Sequence, residues 1–212
     1  MYAIFFALFC VLTAACAPRY ADFFPYYDNG TKKPSVSLFS VYNDTEIPFA
    51  GNFPVELSKG VRNRMKRAGK IYCPPIAQTQ KEMGAATVKE LTTTADLKLF
   101  SRFRGTDFAV CMELVECKVV PYKRGAFKPI YLANIDEDDA KVVSIATRLK
   151  IVNLKGKEPK LARMELVKSN HMISNEELKS AEKGNRGALE LVRSRLARDL
   201  AQKIEETVCV KQ

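Results

Sequence analysis

The chain of 212 residues is 47% apolar and 27% charged, proportions of a folded domain that exclude wholesale disorder. Its length suits one hydrophobic core and is cramped for two. Lys and Arg number 34 against 24 Asp and Glu, and the resulting net charge of +10 favours polyanions in general, whether nucleic acid, anionic headgroups, acidic glycans or an acidic protein.

The chain opens MYAIFFALFCVLTAACAPRY, with no charge between Ala3 and Ala15. A run this short does not reach the about 20 apolar residues of a membrane-spanning helix and has the form of a signal segment. Cleavage after Ala17 would put Pro18 on the reactive side of the bond, where its ring and missing N–H obstruct a signal peptidase; cleavage before Cys16 avoids this. The stretch Leu12-Thr13-Ala14-Ala15-Cys16 resembles a bacterial lipoprotein signal, although Thr13 stands where Leu is usual and no Lys or Arg precedes Arg19. That resemblance implies a diacylglyceryl thioether and an N-acyl chain such as palmitate on Cys16, and a lipid-anchored protein of the bacterial envelope, in the outer membrane facing the periplasm. Ordinary secretion and an uncleaved amino end are the alternatives. The chain then divides into a signal at 1–15, a lipidated Cys and linker at 16–34, and a single α/β domain at 35–212. An exported chain rarely meets nucleic acid, so envelope proteins, glycans and anionic lipid become the expected partners, with the oligomeric state open.

The linker carries Tyr20, Phe23, Phe24, Tyr26 and Tyr27, too apolar for a freely solvated tether. These rings pack on the domain or meet the membrane interface. The domain begins with VSLFSVY, Val36 to Tyr42, a strand-like run turned at Asn43-Asp44-Thr45. A helix follows from Asn52, with Pro54 in its first turn, Val55, Val61, Met65 and Ala68 near one face and Gly69 as its stop. Its other face gathers Lys59, Arg62, Lys66 and Lys70, and KIYCP predicts a short strand.

A second helix is predicted within Thr87 to Phe103, opened by a Thr87/Glu90 capping box, with Leu91, Ala95 and Leu99 at intervals of four. TDFAVCMELVECKVVPY is the most strand-like run, with Phe108, Val110, Met112 and Leu114 on one face and Ala109, Cys111, Val115, Cys117 and Val119 on the other. VVSIATRLKIVNL and PKLARMELVK flank the turn KGKE as a β-hairpin. Ser174 and Glu177 form another capping box, and a long helix runs from about Ala188 to Val208 with Leu189, Val192, Leu196, Leu200, Ile204 and Val208 as its apolar stripe. The sum is an α/β fold, a mixed sheet of about five strands packed by two or three helices.

The strand LFSVYNDT, the basic helix after it and the later strand FRGTDFAVCMELVEC together resemble a periplasmic domain. It is shared by the curli-secretion lipoprotein, the lipoprotein activators of penicillin-binding proteins and the amino-terminal domain of the Tol translocation protein. Asn43-Asp44-Thr45 matches the strand end of those families, and Gly105-Thr106-Asp107-Phe108-Ala109-Val110 matches their segment opening a central strand. The resemblance implies a non-catalytic adaptor. Lipopolysaccharide-assembly lipoproteins share the strand-Asn-x-Thr opening and imply another adaptor.

Catalytic motifs are poor. His171 is the sole imidazole, no Gly-x-Ser-x-Gly surrounds a serine, and neither a P-loop nor a dinucleotide fingerprint is present. His171 reads as structural or surface. Asp136, Glu137, Asp138 and Asp139 lack the glycine and distal Glu of a calcium loop and read as a solvated acidic loop. Cys73, Cys111, Cys117 and Cys209 allow two disulfides in an oxidising compartment, yet a strand separates Cys111 from Cys117 by roughly 20 Å, beyond bridging distance; buried small hydrophobes are the plainer reading. No C-x-x-C pair suggests zinc, and no cofactor is expected. The densest surface feature is GVRNRMKRAGK, where Arg62, Arg64, Lys66, Arg67 and Lys70 crowd together without an acid. It reads as a solvated face or as a contact for an anionic partner. The reading is a binding or scaffolding lipoprotein; an enzyme with a site assembled from scattered carboxylates and cysteines, or a basic nucleic-acid binder with a misread amino end, are the alternatives.

Overall fold

The structure, a computed structural model, describes residues 24–47, 52–103, 105–123, 140–185 and 189–209. The signal, Cys16, Tyr20, Phe23, the acidic run 136–139 and Ala188 lie outside the described residues. Five strands, β1 (Val36–Leu38), β2 (Tyr42–Asn43), β3 (Phe108–Pro121), β4 (Ala140–Asn153) and β5 (Lys160–Ser174), form one sheet in the order β1-β3-β4-β5, with β2 also on β3. β1 and β2 run parallel to β3, and β3, β4 and β5 are antiparallel neighbours. The helices are α1 (Phe53–Ala68), α2 (Ile76–Met83), α3 (Val88–Thr93), α4 (Asn175–Glu182) and α5 (Glu190–Val208), with a 3-10 turn at Leu97–Arg102. The mixed α/β fold is the one expected.

A three-residue parallel strand has little pairing of its own, and side chains fix its register. Ser35 donates from both its backbone N–H and its hydroxyl to Asp107 Oδ2, each at 2.8 Å, while Asp107 and Phe108 donate backbone N–H bonds to the Ser35 carbonyl at 3.0 Å. The expected run from Val36 to Tyr42 is broken into β1 and β2 because the Val41 N–H leaves the ladder for Ser58 Oγ, 2.8 Å away on α1. Asn43 and Thr45 bond to each other through backbone and side chain, which makes the turn the sequence signals.

Helices α1 and α5 cover one face of the sheet. The whole predicted α5 stripe is buried, against Phe108, Val110, Met112 and Leu114 of β3 and Val143, Ile145, Leu149 and Ile151 of β4. The α1 face differs from expectation: Phe53, Leu57, Val61 and Met65 are buried while Val55 and Ala68 are exposed. A register shift between Leu114 and Glu116 corrects the predicted faces of β3. One extra residue there flips the alternation, so Cys117 joins the α1/α5 side while Ala109 and Cys111 stay on the opposite one. Cys73, Cys111 and Cys117 are buried and free, and Cys209 is half-buried and free.

On that opposite face, Phe39, Leu91, Phe100 and Phe103 pack over Ala109, Cys111 and Val152. The predicted strand KIYCP is reduced to a single bridge between Tyr72 and Ser35, and α2 forms after the paired prolines, where no helix was expected. The Thr87/Glu90 capping box opens α3, and the helix expected within Thr87 to Phe103 stops at Thr93. Thr92-Thr93-Thr94 is a β-branched run of poor helix formers, and Thr94 is extended. The buried Lys150 ammonium takes up the freed carbonyls, donating to Leu91 at 3.1 Å and Thr94 at 2.6 Å above the Phe100 ring.

His171 sits on β5 opposite Val143, wholly buried, and neither ring nitrogen has a hydrogen-bond partner among the described residues. Burial, reinforced by Arg195 and opposed by Asp199, lowers its pKa to about 4. Neutral in the fold and near 6.5 when unfolded, the imidazole contributes stability above pH 6.5 that is lost as the pH falls towards 4, about 3 kcal/mol in all. His171→Leu is therefore expected to flatten the fall in urea midpoint between pH 7 and 4 relative to the wild type. Parallel falls for both proteins would contradict it.

Candidate anion-binding groove

Gly60, in the middle of α1, costs helix propensity of about 1 kcal/mol relative to Ala, and what it permits is proximity: a Cβ there would lie 3.1 Å from that of Ala197. Gly60 thus faces Ala197, and Lys70, just past α1, reaches Glu205 near the end of α5 at 3.3 Å. The two helices therefore run in the same direction. Beside the close approach lies a cavity of about 280 Å³ between α1, from Glu56 to Arg67, and the first turns of α5, from Glu190 to Ala197. Lys59, Asn63, Arg64 and Arg67 line it from α1, and Arg193 and Ser194 from α5.

Four cations face two carboxylates, Glu56 and Glu190. Lys59 pairs with Glu56 at 3.0 Å, and Arg193 pairs with Glu190 one turn away. Arg64 donates to a neutral acceptor, Ser194 Oγ, at 2.6 Å, and Arg67 is exposed with no acidic partner among the described residues. Two guanidiniums are left without a countercharge among those residues. Guanidinium presents a planar fork of donors suited to carboxylate or phosphate, so the groove can bind an oxyanion. It offers no nucleophile and base in contact, and among the described residues no group of three or more His, Cys, Asp or Glu could hold a metal.

Of the five basic residues singled out in the sequence, the groove brings together Arg64 and Arg67. Arg62 requires correction. It is buried, donating to the Pro74 carbonyl at 2.7 Å and more weakly to that of Leu38 at 3.4 Å. Burial lowers the pKa of Arg62 and pushes the nearby Cys73 thiol up to about 11, leaving a cation beside a neutral thiol at pH 7. The segment after α1 folds back over this position, so the Arg62 guanidinium lies between its Pro74 carbonyl and the Leu38 carbonyl of β1. Lys66 is half-buried on the Cys73 side, and Lys70 is engaged with Glu205 while its carbonyl accepts the Tyr27 hydroxyl at 2.7 Å. Lys59, Asn63, Arg193 and Ser194 were not anticipated as site residues. A faint signal did exist: small residues Gly60, Ser194 and Ala197 on two helices flanked by polar neighbours at helical spacing.

An α/β sandwich with two parallel-running helices on one face of a mixed sheet is the class of fold defined here. Over residues 22–212 the chain matches the model of a family described as a family of unknown function, DUF7499, and it belongs to that family. No curated protein matches the chain. Among solved structures, the hypothetical protein CT253 from Chlamydia trachomatis is similar with a TM-score of 0.59 and 16% identity, over 84% of this chain and 98% of that one. Lipoprotein GNA1162 from Neisseria meningitidis gives a TM-score of 0.43 and 14% identity, over 80% of this chain and 99% of that one. The likeness to CT253 extends to the fold alone.

The inward turn of Arg62 separates it from its neighbours in a way unfolding can measure. Arg62→Gln is expected to cost about 1–3 kcal/mol by stranding buried carbonyls, whereas Arg67→Gln on the exposed side should stay within about 0.5 kcal/mol. Urea titrations of the two variants check the contrast, and equal losses would contradict the buried placement.

Proposed function

We propose that the protein is a lipid-anchored binding or adaptor protein of the bacterial envelope, tethered through Cys16, that takes an anionic group of its partner into the α1/α5 groove. The observation that carries the reading is the pair Arg64 and Arg67, two guanidiniums at one interhelical cavity without a countercharge among the described residues. The signal-like stretch Leu12 to Cys16 supports the anchor, and the net charge of +10 supports an anionic partner by adding a long-range attraction to the local fork. The likeness of two segments to the curli-secretion, penicillin-binding-protein activator and Tol group is in keeping with an adaptor. Binding by contact needs no catalytic group, and the role is non-enzymatic.

The groove is tested with hexaglutamate peptide as probe, its binding to the purified protein followed by fluorescence anisotropy. Arg64→Gln combined with Arg67→Gln should weaken binding about tenfold, or about 1.4 kcal/mol. Wild-type binding should also weaken from 0.1 to 1 M salt as the Debye length falls from about 10 to 3 Å. Equal affinity of the variant and the wild type would remove the groove from the reading.

The anchor is tested separately by metabolic labelling with radioactive palmitate. Cys16→Ser should abolish incorporation and Cys10→Ser should leave it unchanged, whereas label retained on the Cys16 variant would rule out the lipoprotein assignment.

A further inference from the structure

Residues 24–34 form a strap fastened to one end of the domain. The Lys33 N–H donates to the Pro25 carbonyl, Tyr26 bridges Lys32, and the Tyr27 hydroxyl donates to the Lys70 carbonyl at 2.7 Å, where α1 has just ended. Lys70 in turn pairs with Glu205 towards the end of α5. The strap therefore lies at the carboxyl ends of both helices. Its side chains divide: Tyr27 turns towards the domain beneath the Lys33 ammonium, while Phe24 and Tyr26 point out, 54% and 53% exposed.

Phe24 and Tyr26 lie two residues apart at the place where the described chain begins, with the exposed Lys32 opposite Tyr26 and the exposed Lys70 close by. Asp28 is the only carboxylate within 24–34. Seven residues separate Phe24 from Cys16, a chain that spans at most about 28 Å fully extended. Phe24 therefore lies within about 28 Å of Cys16, with Tyr26 two residues further on, close enough for both rings to meet a bilayer that holds a lipid there. Aromatic rings favour the headgroup level of a bilayer, and lysines beside them favour anionic headgroups.

We propose that Phe24 and Tyr26, with Lys32 and Lys70, form a membrane seat: the strap end of the domain rests its two rings in the headgroup layer of the bilayer carrying the lipid anchor. The inference rests on the lipoprotein reading for the proximity of that bilayer. It goes beyond it by fixing which end of the domain lies down and which remains free. The α1/α5 groove extends along α1 from Glu56 to Arg67 in its last turn and over the first turns of α5, so its Glu56 and Glu190 end is then held away from the lipid surface.

The chain has no tryptophan, so a single introduced Trp reports its own surroundings. Phe24→Trp and, as an independent probe, Tyr26→Trp are made in the full chain, purified from membranes and reconstituted into vesicles of phosphatidylcholine with phosphatidylglycerol. Leu191→Trp, at an exposed position near the start of α5, is the reference. Lipid bearing a nitroxide near its headgroup should quench either strap probe at least about threefold more strongly than the reference, and aqueous iodide should quench the strap probes less than the reference. Strap probes quenched by iodide as freely as the reference, on a chain that still incorporates palmitate, overturn the seat and leave the anchor. Strong nitroxide quenching on a chain that incorporates no palmitate supports the seat and overturns the anchor.

Discussion

The short contact between Ser35 and Asp107 is the constraint on which the arrangement depends. A parallel strand pair needs a crossover connection, and β1 is too short to hold its register by ladder bonds alone. One carboxylate oxygen receiving two donors from Ser35, with two backbone bonds returned to the Ser35 carbonyl, fixes where β1 lies on β3. With that register set, Val41 falls where its N–H meets Ser58, and α1 is locked to the chain that precedes it. The position of α1 then brings Gly60 against Ala197, and the groove follows from that approach.

The two faces of the sheet are completed by different chemistry. Beneath α1 and α5 the core is mainly apolar, and it encloses His171 and the hydroxyls of Thr147 and Ser169, which are buried without partners among the described residues. On the other face a single Lys150 closes a layer made from short helices. A buried ammonium is costly unless its donors are satisfied, and here they meet carbonyls that the interrupted α3 cannot satisfy by itself. That layer stops short of β5, whose Leu161, Met164 and Leu166 remain exposed.

The groove and the strap draw on the same two helices and meet near the end of α1. Lys59, Arg64 and Arg193 belong to earlier turns, Arg67 lies in the last turn of α1, and Lys70 and Glu205 belong to the end that fastens Tyr27. On the proposed reading, one helix pair both orients the domain on the lipid surface and aligns the anion-binding site relative to it. Net charge alone would give neither property, because charge sets attraction and not orientation.

Much of the fold was legible because its signals are local. The α5 stripe, both capping boxes, the Gly69 stop, the β4–β5 hairpin and the Asn43 turn each depend on residues within a few positions of one another, and each is present. Tertiary structure decided what local patterns leave open. A single extra residue near Val115 moved Cys117 to the other face, and a side-chain hydroxyl broke the first strand in two. Among the basic residues of α1, the sequence determined their number and spacing. Which of them face solvent was decided by the chain folding back at Pro74, which claimed Arg62, and by a helix 130 positions further on, which received Arg64. A helix has two flanks beside its buried stripe, and only the neighbours that arrive from distant sequence decide which flank becomes interior.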